Sequence, residues 1–259
     1  IHRRGTVCGE LADMNKLLFA LIGLAAFLTF MIAMVPAAPI YSAFEEELAH
    51  NLPDITLSDV GGSIWNGRGE ISYRQFPPGN INWQLSPVQA LTGTAAIDIQ
   101  LNGTGLEADI VGALTADGGR LSKLTASVSA DYLNQVTLNY GLDLSGEVQL
   151  PKASLTFNKS WLTSAEGDLR WTGGIVHIET PERIHTVKLP AFDGQVSMIG
   201  DTLELHITQT GTRMMEISLT PDGWAKVAID YALIDLVDLP LPGSRDTSEP
   251  AVIMEEKIF

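Results

Sequence analysis

Beyond residue 54 the chain alternates. Ile71 and Tyr73 are spaced by Ser72 and preceded by Glu70, and Ile81, Trp83 and Leu85 interleave with Asn80, Asn82 and Gln84. A period of two puts the apolar members of each run on one face of a strand. The pattern returns at residues 95–101, 106–114, 124–128, 142–150, 153–157, 169–171, 175–178, 189–198, 203–207, 214–219 and 224–231. Turn residues separate the runs, among them Asn102-Gly103, Asp117-Gly118-Gly119, Gly173-Gly174, Gly200-Asp201 and Asp222-Gly223. Short strands punctuated in this way predict a mainly β fold of hairpins with one apolar face. The expected form is a many-stranded, mostly antiparallel sheet, curved or partly open. Irregular strand lengths and a short helix after Pro87 disfavour a closed barrel. Asn66-Gly67 predicts a tight turn between Trp65 and Glu70, because glycine takes positive φ freely and asparagine tolerates it. Ser86-Pro87 predicts a helix start, cap then proline, closed by Gly93.

A different pattern stands upstream. Residues 17–35 are apolar throughout except Thr29. As a helix the run would cover roughly 28 Å, close to the thickness of a bilayer core. Pro36 and Pro39 stop it. A transmembrane anchor over residues 14–39 is therefore expected. A cleaved signal peptide is the alternative, since Pro36-Ala37-Ala38-Pro39 offers small residues, but the run exceeds a normal signal core. Lys16, with Arg3 and Arg4, precedes the run and Glu45-Glu46-Glu47 follows it. The basic flank stays in the cytoplasm, which puts residues 40–242 outside it as a periplasmic β-domain. Tyr41 and Phe44 sit at the boundary, and a short helix over residues 41–51 ends at Leu52-Pro53. Translation is expected to start at Met14, with residues 1–13 an upstream or cytoplasmic extension. Residues 243–259 are expected to form a flexible tail. Pro240 and Pro242 would guard the last sheet edge, because proline cannot donate to a neighbouring strand.

Composition narrows the function. The chain is 45% hydrophobic and 18% charged, enough to bury a core. Its formal net charge of −15 argues against nucleic acid, whose phosphates need a basic surface. The single cysteine, Cys8, permits no internal disulfide and no thiolate cluster. It precedes the apolar run, so it is not a lipid-anchor cysteine. His177, Glu179, His185 and His206 are the nearest approach to a metal set, but their spacing is that of strand-surface residues. No nucleophile elbow, His-Glu-x-x-His or phosphate loop is present. Asp98, Glu107, Asp109, Asp143, Glu147 and Glu204 each fall on the polar side of a strand. No catalytic residue, metal or cofactor is expected. The five tryptophans either pack the sheet or line a ligand groove, and packed indoles would donate N–H to turn carbonyls near Gly67 and Gly173. Trp65 through Trp83 is echoed by Trp161 through Trp171, which would make two copies of one sheet unit.

The stretch Gly62-Ser63-Ile64-Trp65-Asn66-Gly67, with Ile81-Asn82-Trp83-Gln84-Leu85-Ser86-Pro87 and then Ala90-Leu91-Thr92-Gly93, resembles protein N of bacterial type II secretion systems. The resemblance implies a non-enzymatic, single-pass inner-membrane component of the general secretion pathway. Its periplasmic domain would contact other secretion-system proteins during export across the outer membrane. The motif positions Gly62, Trp65, Asn66, Gly67, Trp83, Leu85, Pro87 and Gly93 would then be structural. More loosely, the layout resembles AsmA-like envelope proteins, which implies the alternative of a lipid-binding or lipid-transfer protein with an open apolar β-groove.

Overall fold

The computed structural model describes residues 19, 21–24, 27, 30–32, 34–51, 54–90, 92–180, 183–238 and 249–258. Residues 1–13 and part of the expected span (14–18, 20, 25, 26, 28, 29 and 33) lie outside that set. Residues 19, 21–24, 27 and 30–32 are helical. Among the described residues no helix is long and apolar enough to cross a membrane. The short helix expected next is present as α1 (Ala37–Asn51).

The strands follow as the alternation requires. They are β1 (Ile55–Gly62), β2 (Asn66–Tyr73), β3 (Gly79–Leu85), β4 (Thr94–Gly103), β5 (Leu106–Thr115), β6 (Gly118–Ser129), β7 (Leu142–Leu144) and β8 (Glu147–Asn158). Then come β9 (Leu162–Trp171), β10 (Gly174–Glu179), β11 (Ile184–Leu189), β12 (Phe192–Ile199), β13 (Thr202–Gln209), β14 (Thr212–Leu219), β15 (Trp224–Ile229) and β16 (Val252–Lys257). Thirteen of those described form one sheet in the order β1-β2-β3-β4-β5-β6-β8-β9-β12-β13-β14-β15-β16, and β11-β10-β7 form a small second sheet. Among the described residues every pairing of the large sheet is antiparallel, and β1 and β16 are not partners, so the sheet is open.

Several details depart from the sequence pattern, each for a local reason. Asn66-Gly67 opens β2 instead of forming the turn, which lies at residues 63–65. Gly62, at φ +83°, supplies the left-handed residue. Residues 142–158 are not two strands cut at Pro151: β8 runs through the proline on a bulge between Gln149 and Lys152, a site where proline's missing N–H costs no ladder bond. Pro190 breaks the run 189–198 into the end of β11 and the start of β12. The expected tail contributes the edge strand β16, while residues 239–248, with Pro240 and Pro242, lie outside the described set.

Three more helices follow. The predicted one is α2 (Pro87–Ala90), with Gly93 after it at φ +86°. The alternation did not reveal α3 (Ala130–Thr137) and α4 (Tyr231–Val237). Ser129 caps α3 by accepting the Tyr132 N–H. The buried Asn134 then fastens α3 to β7: its amide donates to Asp143 Oδ1 (2.7 Å) and the Leu144 carbonyl (2.9 Å), and its oxygen accepts the Leu144 N–H (2.9 Å). Arg213 holds the start of α4 through paired bonds to Asp230 (2.5 and 3.1 Å).

The connections sort by end. At one end of the large sheet they are residues 63–65, 86–93, 116–117, 159–161, 200–201 and 220–223. At the other end the chain inserts α3, the small sheet and α4. These insertions bring the compact core: Val176, Leu189, Phe192, Met214 and Val237 are buried together, with Leu144, Trp171, Ile178 and Ile207 packed against them. We call the first the open end and the second the capped end.

Candidate functional site

Register fixes which side chains share a face, because directly paired residues of an antiparallel ladder point the same way. Following the pairs from strand to strand gives a single apolar face. Leu57 and Ile71 lead to Ile81, Trp83 and Leu85, then to Ile97, Ile99 and Leu101. Ala108, Ile110 and Leu114 follow, then Leu124, Ala126 and Val128, then Val148, Leu155 and Phe157. Beyond them come Ala165 and Trp171, Phe192 and Val196, Leu205 and Ile207, Ile217 and Met215, Val227 and Ile229, and finally Val252 and Met254. Polar exceptions on this face are Glu256 on the edge strand and the pair Gln209 and Thr212 at the capped end of β13 and β14.

The two faces differ in cover as well as chemistry. Along β3, Asn80, Asn82 and Gln84 are exposed while Ile81, Trp83 and Leu85 are half-buried. In β4 and β5, Asp98, Gln100, Asn102, Glu107 and Asp109 are exposed, while Ile99, Leu101, Ala108 and Ile110 are half-buried and Ile97 is buried. Among the described residues, α1 lies on β1, α2 on β4 and α3 on β6. A sheet curled around its apolar face produces this asymmetry, since side chains crowd on the concave side and splay on the convex one. The bulges in β1, β6, β8 and β9 add local bend.

The motif positions converge at the open end, on the corner formed by β1, β2 and β3. The Trp83 ring lies flat across Gly67, its cross-strand partner; a Cβ there would stand 2.2 Å from Trp83 Cζ2. The Trp83 indole N–H donates to the Ile64 carbonyl at 3.2 Å, and the Leu85 N–H to the Trp65 carbonyl at 2.6 Å. Pro87 and Gly93 start and end the α2 connection beside them. The same corner grips the end of the apolar N-terminal run. Trp65 Nε1–H donates to the Ile32 carbonyl at 2.7 Å, Ile64 N–H donates to the Val35 carbonyl at 3.0 Å, and Pro36 bridges Ser63. This joint was not visible in the sequence, because its two halves lie some thirty positions apart.

From the joint, α1 runs back along β1 to the capped end, where the Arg74 N–H donates to the Asp54 carbonyl at 3.0 Å. It covers the edge of β1 and leaves an exposed stripe of Ile40, Phe44 and Leu48, 43–52% accessible, at helical spacing. The capped end is tied across the sheet. Phe76, after β2, stacks on Tyr132 of α3 with ring centres 4.7 Å apart, and burial raises the Tyr132 phenol's pKa. Tyr140 Oη–H donates to Glu256 Oε2 at 3.4 Å, which joins the cap to the last strand.

The histidines and carboxylates singled out from the sequence sit in separate local contacts. His177 Nδ1 is 2.9 Å from Thr186 Oγ1, and His185 Nε2 accepts from Arg183 Nε at 3.0 Å. His206 is on another sheet, 2.9 Å from Glu204 and 3.6 Å from Glu216. Among the described residues no three His, Cys, Asp or Glu side chains gather to hold a metal. Asp98, Glu107, Asp109, Glu147 and Glu204 lie on the polar face, and Asp143 is occupied by Asn134. A 530 Å³ hollow on the polar face is lined by Arg68, Asn82, Gln84, Asp98 and Gln100, without a histidine or a second carboxylate. Trp161 and Trp171 donate to the Asp201 and Ser145 carbonyls (2.7 and 3.0 Å), so three indoles, with Trp83, take turn or loop carbonyls, while Trp65 takes that of the helical Ile32 and Gly173 is not among the acceptors. At the glycines of the suspected repeat, Gly69 of β2 faces Ile81 and Gly167 of β9 faces Ala153.

Neither a curated protein nor a solved structure matches the chain significantly. A family model, type II secretion system protein N, matches residues 53–234, which takes in the motif corner, the apolar face and the cap. The chain belongs to the protein N family of type II secretion systems.

Proposed function

We propose that this secretion component is non-enzymatic, anchored in the inner membrane by residues 17–35, and works through contacts made by its β-domain in the periplasm. The joint carries this reading. Trp65, Ile64 and Ser63 grip Ile32, Val35 and Pro36, so the sheet would be held at a fixed corner beside the bilayer surface rather than on a free linker. A domain held in that way meets its partners at high local concentration, and weak contacts then suffice. The outer face supports a contact role, since it offers exposed amide and acidic side chains from β3 to β5 and no arrangement for chemistry. Protease added to spheroplasts tests the topology. Residues 40–258 should be digested from the periplasmic side while a fragment carrying the apolar run stays in the membrane; digestion only after lysis would end the proposal.

A specific observation favours a second reading, in which the domain also holds lipid. Its apolar face continues across the whole sheet, while the compact core occupies only the capped end. A contiguous apolar face of that extent, left half-buried outside the compact core, supports a binding surface. Lipid extraction and mass spectrometry of protein purified in mild detergent tests it: phospholipid retained above the level of an outer-face control protein is expected, and none would refute it.

A further inference from the structure

We propose that phospholipid acyl chains from the inner membrane enter the apolar face at the open end, beside the joint, and lie along the strands toward the cap; this rests on the lipid-holding reading above. Three observations lead to it.

The first concerns what the face can accept. Its backbone N–H and C=O groups are consumed by the ladders on either side of each strand. From β2 to β15 the polar groups among its paired side chains are the indole of Trp83, spent on Ile64, that of Trp171, spent on Ser145, the hydroxyl of Tyr73 at the far edge, and the pair Gln209 and Thr212 at the capped end of β13 and β14. An extended peptide laid there would leave its own polar backbone unpaired on the side facing the sheet, which burial penalises. An acyl chain brings no polar group to satisfy and gains with each methylene it hides from water.

The second concerns length. A ten-residue strand such as β4 or β5 spans roughly 33 Å. One leaflet's share of a bilayer core is about 15 Å. A chain drawn from the leaflet therefore fits wholly between the open end and the cap.

The third concerns direction. The cap blocks one end through Phe76–Tyr132, the small sheet and α4. The opposite end carries the short connections, and it is the end against which the long apolar run terminates at Val35 and Pro36. The exposed stripe Ile40, Phe44 and Leu48 leads away from the same point along the β1 edge. Exposed apolar side chains of the described part of that run, Phe30, Met31, Ile32 and Met34, thus lead to the corner at the mouth of the face. A chain leaving the leaflet there need not cross open water.

The test uses the full chain in native membranes with a photoreactive benzoylphenylalanine at one position per variant. Leu114 and Phe157 report the open end, Leu106 and Val128 the capped end, and Gln84 and Glu166 the polar face. Each apolar side chain is replaced by another apolar one, and an unchanged protease-digestion pattern marks a folded variant. After irradiation, phospholipid adducts are read by mass. Adducts several-fold stronger at Leu114 and Phe157 than at Leu106 and Val128, and absent at Gln84 and Glu166, are expected. Equal or stronger adducts at the capped end would overturn the direction and leave the lipid-holding reading intact. Polypeptide adducts, or none, at all four apolar positions would overturn both. Adducts at Gln84 or Glu166 equal to those at Leu114 would mean non-specific contact with the bilayer and would overturn the proposal.

Discussion

The two halves of the large sheet have the same alternation and different interiors. Strands β1–β6 keep most of their apolar side chains half-buried, whereas β9 and β12–β14 meet the small sheet and α4 and close a core around Phe192 and Met214. The residues on the two apolar faces are interchangeable in kind: Ile99, Ile110 and Leu124 on one side, Val196, Leu205 and Ile207 on the other. What differs is whether the chain returns over the face. Between β9 and β12 it spends residues 172–191 on β10 and β11, whose own apolar members, Val176, Ile178, Val187 and Leu189, need a surface to cover. Between β1 and β6 it spends only turns and the four-residue α2. Alternation therefore specifies a face, and the insertions decide whether that face becomes an interior or a surface for something else.

Truncation should separate the halves most sharply. Phe192 is buried and packs at 5.4 Å on Trp171. Phe192→Ala should cost about 3–5 kcal/mol in denaturant or thermal unfolding of the purified chain. Ile110→Ala, on the half-buried face of β5, should cost only about 1 kcal/mol, in proportion to the apolar area it hides. Equal costs would break the comparison, because Ile110 would then have a cover that the fold itself does not provide. Repeating the pair after exhaustive lipid removal would show whether that cover is lipid.

Gly67→Ala should rank next, at about 1–3 kcal/mol, because the new methyl would overlap the Trp83 ring and the nearest alternative contact is the Ser63 carbonyl at 2.8 Å. Adding Trp83→Leu should return part of that loss, with a coupling of at least about 0.5 kcal/mol. Simple additivity would mean that the ring does not rest on the glycine. Trp65→Phe should be smaller still. It keeps an aromatic ring and removes the donor to Ile32, a change worth about 1 kcal/mol. Its effect should appear as faster protease cleavage within residues 34–54, with the unfolding midpoint of the β-domain nearly unchanged. A midpoint shift as large as that of Phe192→Ala would put the joint inside the cooperative core.

How much of this was legible in the sequence follows from the range of the forces. Period-two alternation is local, and it announced nearly every strand and the open, antiparallel character of the sheet. Ser86-Pro87 announced α2 because both cap and proline act within one turn. The cap was hidden although its signals were present: Ser129 stands before Asp131, and Asp230 ends the β15 run, each a helix-start residue that the surrounding strand pattern masked. The small sheet was hidden because Leu142 to Leu144 alternates like any other strand, and its partner in β10 is a matter of long-range pairing. At the motif, the residue types were right and the mechanism was not. Asn66-Gly67 looked like a turn, but Gly67 is needed for the ring of Trp83, which only the register with β3 discloses.

The weakest test lies at the seam between the halves, where β6 leaves the sheet for the cap and β8 returns beside it. There, on the polar face, Ser127 Oγ–H donates to Glu147 Oε1 and Gln149 Nε2–H donates to Oε2 at 3.1 Å. The Ser127 bond first and the Gln149 bond second hold the Glu147 carboxyl below its usual range. A depressed folded pKa stabilises the protein above the unfolded value, and that contribution is lost as pH falls through the folded one. Ser127→Ala should therefore lower stability slightly at neutral pH, and the gap to the parent should close as the pH is lowered through the carboxylate range. The gap is expected to be smaller than that of any substitution above, because the site is open to water and solvent screens it. Thermal melts of parent and variant along a pH series measure it. A gap that persists undiminished at acid pH would mean that the Ser127 hydroxyl supports the seam through the backbone and not through the charge on Glu147. The two halves would then be joined by their ladder alone.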